Sequence, residues 1–127
     1  MNITYYYGQY DEDEIELDLS ESEIIEAITS RISKEQIIKD AEGIYKNYTQ
    51  EEKQEVLKAL KDAPEFITNG EPDITKLADD DLDWVVETFL FDDLDSYKED
   101  VEIYYEDRAN EQYKDNLDYK RNPDPYR

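Results

Sequence analysis

With 36 Asp and Glu against 14 Lys and Arg, this 127-residue chain carries a formal net charge of −22. Any fold it adopts must bury a core while its surface repels itself. High charge with few apolar residues is the signature of disorder, so foldedness is the first question. Leu, Ile, Val and Phe number 28, about 22 % of the chain, just above the roughly 20 % typical of disordered sequences. Twelve tyrosines add amphipathic area that can be buried while the hydroxyl stays wet. The length suits a single core. The chain has no Cys, which excludes disulfides, thiolate nucleophiles and Cys-ligated zinc. It also has no His, which removes Ser-His-Asp triads and the commonest general base. No apolar run approaches a membrane span, and no basic start leads an apolar stretch, so no membrane segment or signal peptide is expected.

The apolar residues are ordered in period, and that order argues for a fold. Ile3, Tyr5 and Tyr7 alternate with Thr4 and Tyr6, and Ile15, Leu17 and Leu19 alternate with Glu14, Glu16 and Asp18. Two such runs with a polar stretch between them predict a β-hairpin with one apolar and one wet face. Ser20 and Glu23 form a capping box, opening a helix over 21–32 with Ile24, Ile25, Ile28 and Ile32. Ser33 caps the next, in which Ile37, Ile38, Ala41, Ile44, Tyr45 and Tyr48 keep helical spacing. Gly43 costs that helix roughly 1 kcal/mol relative to Ala and marks a place for a bend. Thr49 and Glu52 repeat the capping box before Val56, Leu57 and Leu60, and Pro64 closes that element. Residues 65–78, with Asn69-Gly70 and Pro72, read as a connecting loop. Asp79, Asp80 and Asp81 then precede a stripe of Leu82, Val85, Val86 and Phe89. Beyond Phe91, a long helix with Leu94, Tyr97, Val101, Tyr104, Tyr105 and Arg108 is expected to reach about Asn116. The sum is an α+β fold, mainly helical: an N-terminal β-hairpin packed on four or five α-helices. Residues 1–115 form its single acidic domain, and 116–127 a flexible C-terminal tail.

The charge is unevenly spread. Residues 1–19 hold six acids and no base, and residues 71–97 hold ten acids and one lysine. The intervening helices mix signs, so 49–70, with Glu51 and Glu55, reads as an ordinary solvated surface. Solubility in a small domain needs a net charge of magnitude only about 2 to 8. A saline habitat would spread its acids evenly. Patchiness instead suggests a partner with a basic groove, which would accept rows of carboxylates through charge-assisted hydrogen bonds. The candidate contact residues are Tyr10, Asp11, Glu12, Asp13, Glu14, Glu16 and Asp18 on the hairpin. Asp79, Asp80, Asp81, Asp83, Trp84, Asp92, Asp93 and Asp95 are the second set. Trp84 has two readings, as a core residue or as an exposed anchor. Tyr6, Tyr10 and Tyr105 are hard to place in a core and suit a binding surface. The scattered bases make too sparse a footprint for direct binding of nucleic acid.

Catalysis finds little support. With so many acids some close carboxylate pair is inevitable, so a glycosidase reading has no specificity. Pro72-Asp73 with Asp118-Tyr119-Lys120 resembles a magnesium nuclease pattern only without the sheet context that pattern needs. The acids at 79–83 lack the Asp-x-Asp-x-Asp-Gly loop of a calcium site. No catalytic residue, cofactor or metal ligand is assigned, and the chain is read as a non-enzyme.

In size, acidity, tyrosine content and want of a catalytic motif, the chain resembles the small acidic DNA-mimic proteins of phages and mobile elements. Anti-CRISPR and anti-restriction inhibitors belong to that class. The runs Tyr10-Asp11-Glu12-Asp13-Glu14 through Asp18 and Asp79-Asp80-Asp81-Leu82-Asp83-Trp84 carry the likeness. The resemblance implies an inhibitor in the host cytoplasm that occupies the DNA or RNA site of a basic nucleic-acid-binding protein. The alternative is a phage accessory or assembly module whose acidity serves solubility or docking.

One outcome follows from charge alone. Screening over about 10 Å at 0.1 M relieves repulsion among clustered carboxylates. Melting temperature should therefore rise between about 20 and about 200 mM salt, and a calorimetric scan showing a fall would contradict this.

Overall fold

The computed structural model describes residues 1–121, with side chains described through residue 116. Strands β1 (Asn2–Tyr7) and β2 (Asp13–Asp18) form an antiparallel hairpin. Helices α1 (Glu21–Arg31), α2 (Lys34–Lys46) and α3 (Gln50–Ala59) follow. A 3-10 turn at Pro64–Phe66 leads into a two-residue hairpin, β3 (Ile67–Thr68) and β4 (Glu71–Pro72). Helices α4 (Ile74–Asp80) and α5 (Leu82–Phe89), a 3-10 segment (Leu90–Tyr97) and α6 (Lys98–Arg121) complete the chain. The fold is α+β, mainly helical, as the periodicity predicts.

The first hairpin keeps the predicted faces. Ile3 pairs with Leu17 and Tyr5 with Ile15 on the inner face, while Glu14, Glu16 and Asp18 lie exposed on the outer one. Gly8 is needed in the connecting turn, where its φ of +95° is left-handed and a Cβ would lie 2.7 Å from a Glu12 carboxylate oxygen. Both capping boxes form reciprocally, at Ser20–Glu23 and Thr49–Glu52, and Ser33 caps α2. Each cap contributes about 0.5–2 kcal/mol to helix stability. The helix α2 runs without interruption through Gly43.

Four expectations are corrected. Residues 65–78 are not a loop. Asn69 (φ 54°) and Gly70 (φ +78°) make the tight turn of β3–β4, and Asp73 then caps α4 by accepting from the Lys76 N–H at 3.1 Å. Leu90–Tyr97 is a 3-10 segment, broken by the non-helical Asp93, before the final helix begins. Tyr105 is buried, because it continues the four-residue column Tyr97, Val101, Ala109 that faces the core. At its other end α6 continues past Asn116 to Arg121, and the rest of the expected tail, 122–127, lies outside the described residues.

One apolar cluster joins the first hairpin to every helix. Helix α5 is its centre, with Val85, Val86 and Phe89 fully buried against neighbours that include α1, α2 and α4. Helix α6 spans the back, covering α1 and the hairpin. Tyrosines fasten this seam. The Tyr5 hydroxyl donates to the Glu102 carbonyl at 2.5 Å, Tyr7 to Asn110 Oδ1 at 2.6 Å, and Tyr105 to the Glu23 carbonyl at 2.8 Å. Tyr7 also stacks on Tyr113 with ring centroids 4.4 Å apart.

Burial, with nearby carboxylates second, pushes the Tyr5 and Tyr45 hydroxyls up to about 12. The same causes raise Tyr7, Tyr48, Tyr97 and Tyr105 above the ordinary tyrosine value. A folded-state pKa above the unfolded one contributes stability that is present below about pH 10 and lost as pH rises through the folded values. Melting temperature should therefore drop above about pH 10, with tyrosinate absorbance appearing as the fold is lost. Tyr97→Phe, which removes a 2.9 Å bond to Asp40, should cost roughly 1 kcal/mol at neutral pH and soften the alkaline decline. Unchanged stability of that variant at both pH values would refute the assignment.

Candidate partner-binding surface

On the outer hairpin face the acids stand in a regular row. Successive outward positions on a strand are roughly 6.6 Å apart, so Glu14, Glu16 and Asp18 repeat at that interval. Their cross-strand neighbours are Tyr6, Thr4 and Asn2, so the face carries no cation. Tyr6, 57 % exposed, places an aromatic ring across from Glu14, and Tyr10, 82 % exposed, stands in the turn. Asp11, also exposed, sits in the turn with a left-handed φ of 55°.

Two of the hairpin candidates also serve the fold. Glu12 curls over Gly8 and accepts from the Tyr10 N–H at 2.8 Å. Asp13 pairs across from Tyr7 on the inner side and accepts from the Tyr113 hydroxyl at 3.2 Å.

The second set is dispersed. Asp79 and Asp80 end α4 and flank a shallow groove with Phe66 and Lys76, and Asp79 is ion-paired with Lys34. Asp81 caps α5 by accepting from the Trp84 N–H at 3.1 Å. Asp83 faces α1 beside Ile25 and Thr29. Asp93 accepts from Ser96 at 2.8 Å, and Asp95 is exposed. Among the described residues no three carboxylates converge as a metal site would require.

Trp84 and Asp92 meet elsewhere. They line a groove of about 340 Å³ with Tyr48, Thr88 and the α3 residues Glu52, Glu55, Val56 and Ala59. Trp84 is half-buried, its ring edge-on to Phe89 with centroids 6.1 Å apart, so it has both a core side and an open one. Asp92 accepts from the Tyr48 hydroxyl. Burial first, and this carboxylate second, raise the Tyr48 hydroxyl's pKa.

Sequence reasoning passed over Glu52 and Glu55, since α3 mixes both signs. The signal was present in its spacing. Positions 52, 55, 56 and 59 follow i, i+3, i+4, i+7 and share one helix face, which holds two acids, two apolar residues and no lysine. Lys53 points elsewhere, over the Tyr45 ring.

A larger groove of about 630 Å³ lies between α2 and residues 93–100. Its carboxylates already have donors: Asp40 takes Tyr97 and Gln36, Asp93 takes Ser96, and Asp100 takes Arg31. No helix among the described residues is long and apolar enough to cross a membrane. No family model, curated protein or solved structure matches the chain.

The outer row bears no structural duty. Replacing Glu14, Glu16 and Asp18 together by Lys leaves Ile15, Leu17 and Leu19 in place, so the hairpin register should hold. Circular dichroism should be unchanged and the melting temperature equal or higher, because six units of negative charge are removed. A loss of folded signal would show that the row has a hidden structural role.

Proposed function

We propose that this protein is a non-catalytic inhibitor that binds a basic nucleic-acid-binding protein, of the CRISPR nuclease or restriction enzyme type, and blocks its DNA or RNA site. The observation that carries this reading is the outer hairpin face, a regular row of three exposed carboxylates with no cation on it. Such a row offers acceptors at fixed intervals to Arg and Lys side chains arranged for phosphates. Its rigidity supports the reading too. The inner face is pinned to α6 by Tyr5 and Tyr7, so little order is lost on docking.

The mechanism is stoichiometric competition. Carboxylates displace phosphates from the same basic groove, and the complex weakens as salt screens the attraction. The work is done in the cytoplasm of the host cell, where the target meets its nucleic acid.

Competition is the discriminating measurement. A target captured from host lysate should release this protein when its own DNA or RNA is added, and affinity should fall steeply with salt. The triple Lys variant of the hairpin row should inhibit at least about tenfold less, as expected for several charge-assisted contacts. Reversal of Glu42 and Glu111, exposed acids on α2 and α6, should leave inhibition intact. A ternary complex of protein, target and nucleic acid at undiminished affinity would refute competition. Capture of a structural subunit that binds no nucleic acid would point to an assembly module instead.

A further inference from the structure

The groove beside Trp84 has a chemistry distinct from that of the hairpin row. Its floor is apolar, formed by buried Val56 and the half-buried rings of Tyr48 and Trp84, and its rim carries the exposed Glu52, Glu55 and Asp92 without a cation. Two of these acids are only half committed. Glu52 receives the Thr49 N–H on one oxygen, and Asp92 receives Tyr48 on one oxygen. Among the described residues no hydrogen bond reaches the Glu55 carboxylate. Unused acceptor oxygens therefore ring an aromatic and aliphatic surface.

We propose that this groove receives an arginine side chain of the target protein. The inference rests on the reading that the partner is basic, and it names which cation is bound and where. Charge complementarity selects a cation, since the lining holds three carboxylates and no base. The apolar floor selects a long side chain that buries its methylenes while keeping a charged head at the rim. The aromatic rings and several acceptors then favour guanidinium over ammonium. A planar guanidinium stacks on aromatic faces and presents five donors in a fixed fork, whereas an ammonium is a strongly hydrated point charge. The groove joins α3 to α5, two elements held by the central core, so it is a preformed receptor.

The chain's single tryptophan is a built-in reporter of occupancy. Capped hexa-arginine titrated at low salt should change Trp84 emission saturably, while hexa-citrulline, its neutral counterpart, should not. Hexa-lysine should bind more weakly. Glu55→Gln, at an exposed position without a structural partner, should weaken the arginine peptide about threefold to fivefold. Glu16→Gln, on the hairpin, should change the Trp84 response less. The proposal is overturned if emission does not respond, if citrulline or lysine does as well, or if Glu55→Gln has no larger effect than Glu16→Gln. These outcomes separate from those of the broader reading. Failure here with inhibition still abolished by the hairpin variant removes only the arginine groove. A Trp84 response alongside a ternary complex with nucleic acid removes only competition.

Discussion

A shortage of cations governs this structure. Carboxylates outnumber bases so heavily that ion pairing cannot satisfy those lying at the edge of the core, and phenolic hydroxyls take over the task. Asp13, Asp40 and Asp92 each accept from a tyrosine, and Glu26 accepts from Tyr105. A tyrosine brings a neutral donor on a large apolar ring, so one residue supplies core area and a partner for a surface acid. Only three ion pairs are seen among the described residues, at Arg31–Asp100, Lys34–Asp79 and Arg108–Glu23. The tyrosines are thus the answer to the net charge as well as a source of hydrophobic area.

This arrangement divides the acids into two groups. Those bound to tyrosines, caps or turns belong to the architecture, among them Glu12, Asp13, Asp73 and Asp81. Among those left without such duties are Glu14, Glu16 and Asp18 on the outer hairpin face and Glu55 at the Trp84 groove, whose other acids, Glu52 and Asp92, keep an oxygen spare. The regular row on the hairpin and the apolar setting of the groove, more than the density of acids along the chain, set these two surfaces apart.

The sequence made some of this legible and concealed the rest for physical reasons. Strict alternation around Ile15, Leu17 and Leu19 has no helical reading, and two reciprocal capping boxes mark helix starts to the residue. Helix α4 was obscured because it spans fewer than two turns, with Ile74 and Leu77 too few to display a period, and because Pro72 and Asn69-Gly70 advertise a turn. Asn69-Gly70 was in fact the signal of a tight hairpin. Phe91, Leu94 and Tyr97 are spaced by three, which suits a 3-10 segment as well as it does an α-helix. The outer acidic row followed directly from strand periodicity. The Trp84 groove did not, since its two walls are about thirty residues apart in the chain and meet only through packing.

The corner between α4 and α5 has a consequence for how this sequence can change. Asp81 is at once the last cap of one helix and the first of the next, with φ −150° and ψ 85°. There is no spacer. Both helices are anchored in the core, by Leu77 and Ala78 before the corner and by Val85 and Val86 after it. An added or deleted residue at this point would rotate one set of anchors out of the interior, because each residue of an α-helix turns its side chain by about 100°. Length is therefore fixed at the corner, while the exposed Asp80 and Asp83 on either side can be exchanged without disturbing the anchors. The corner thus tolerates exchanges of surface charge but not of chain length, so its electrostatics can be altered without redesigning the fold.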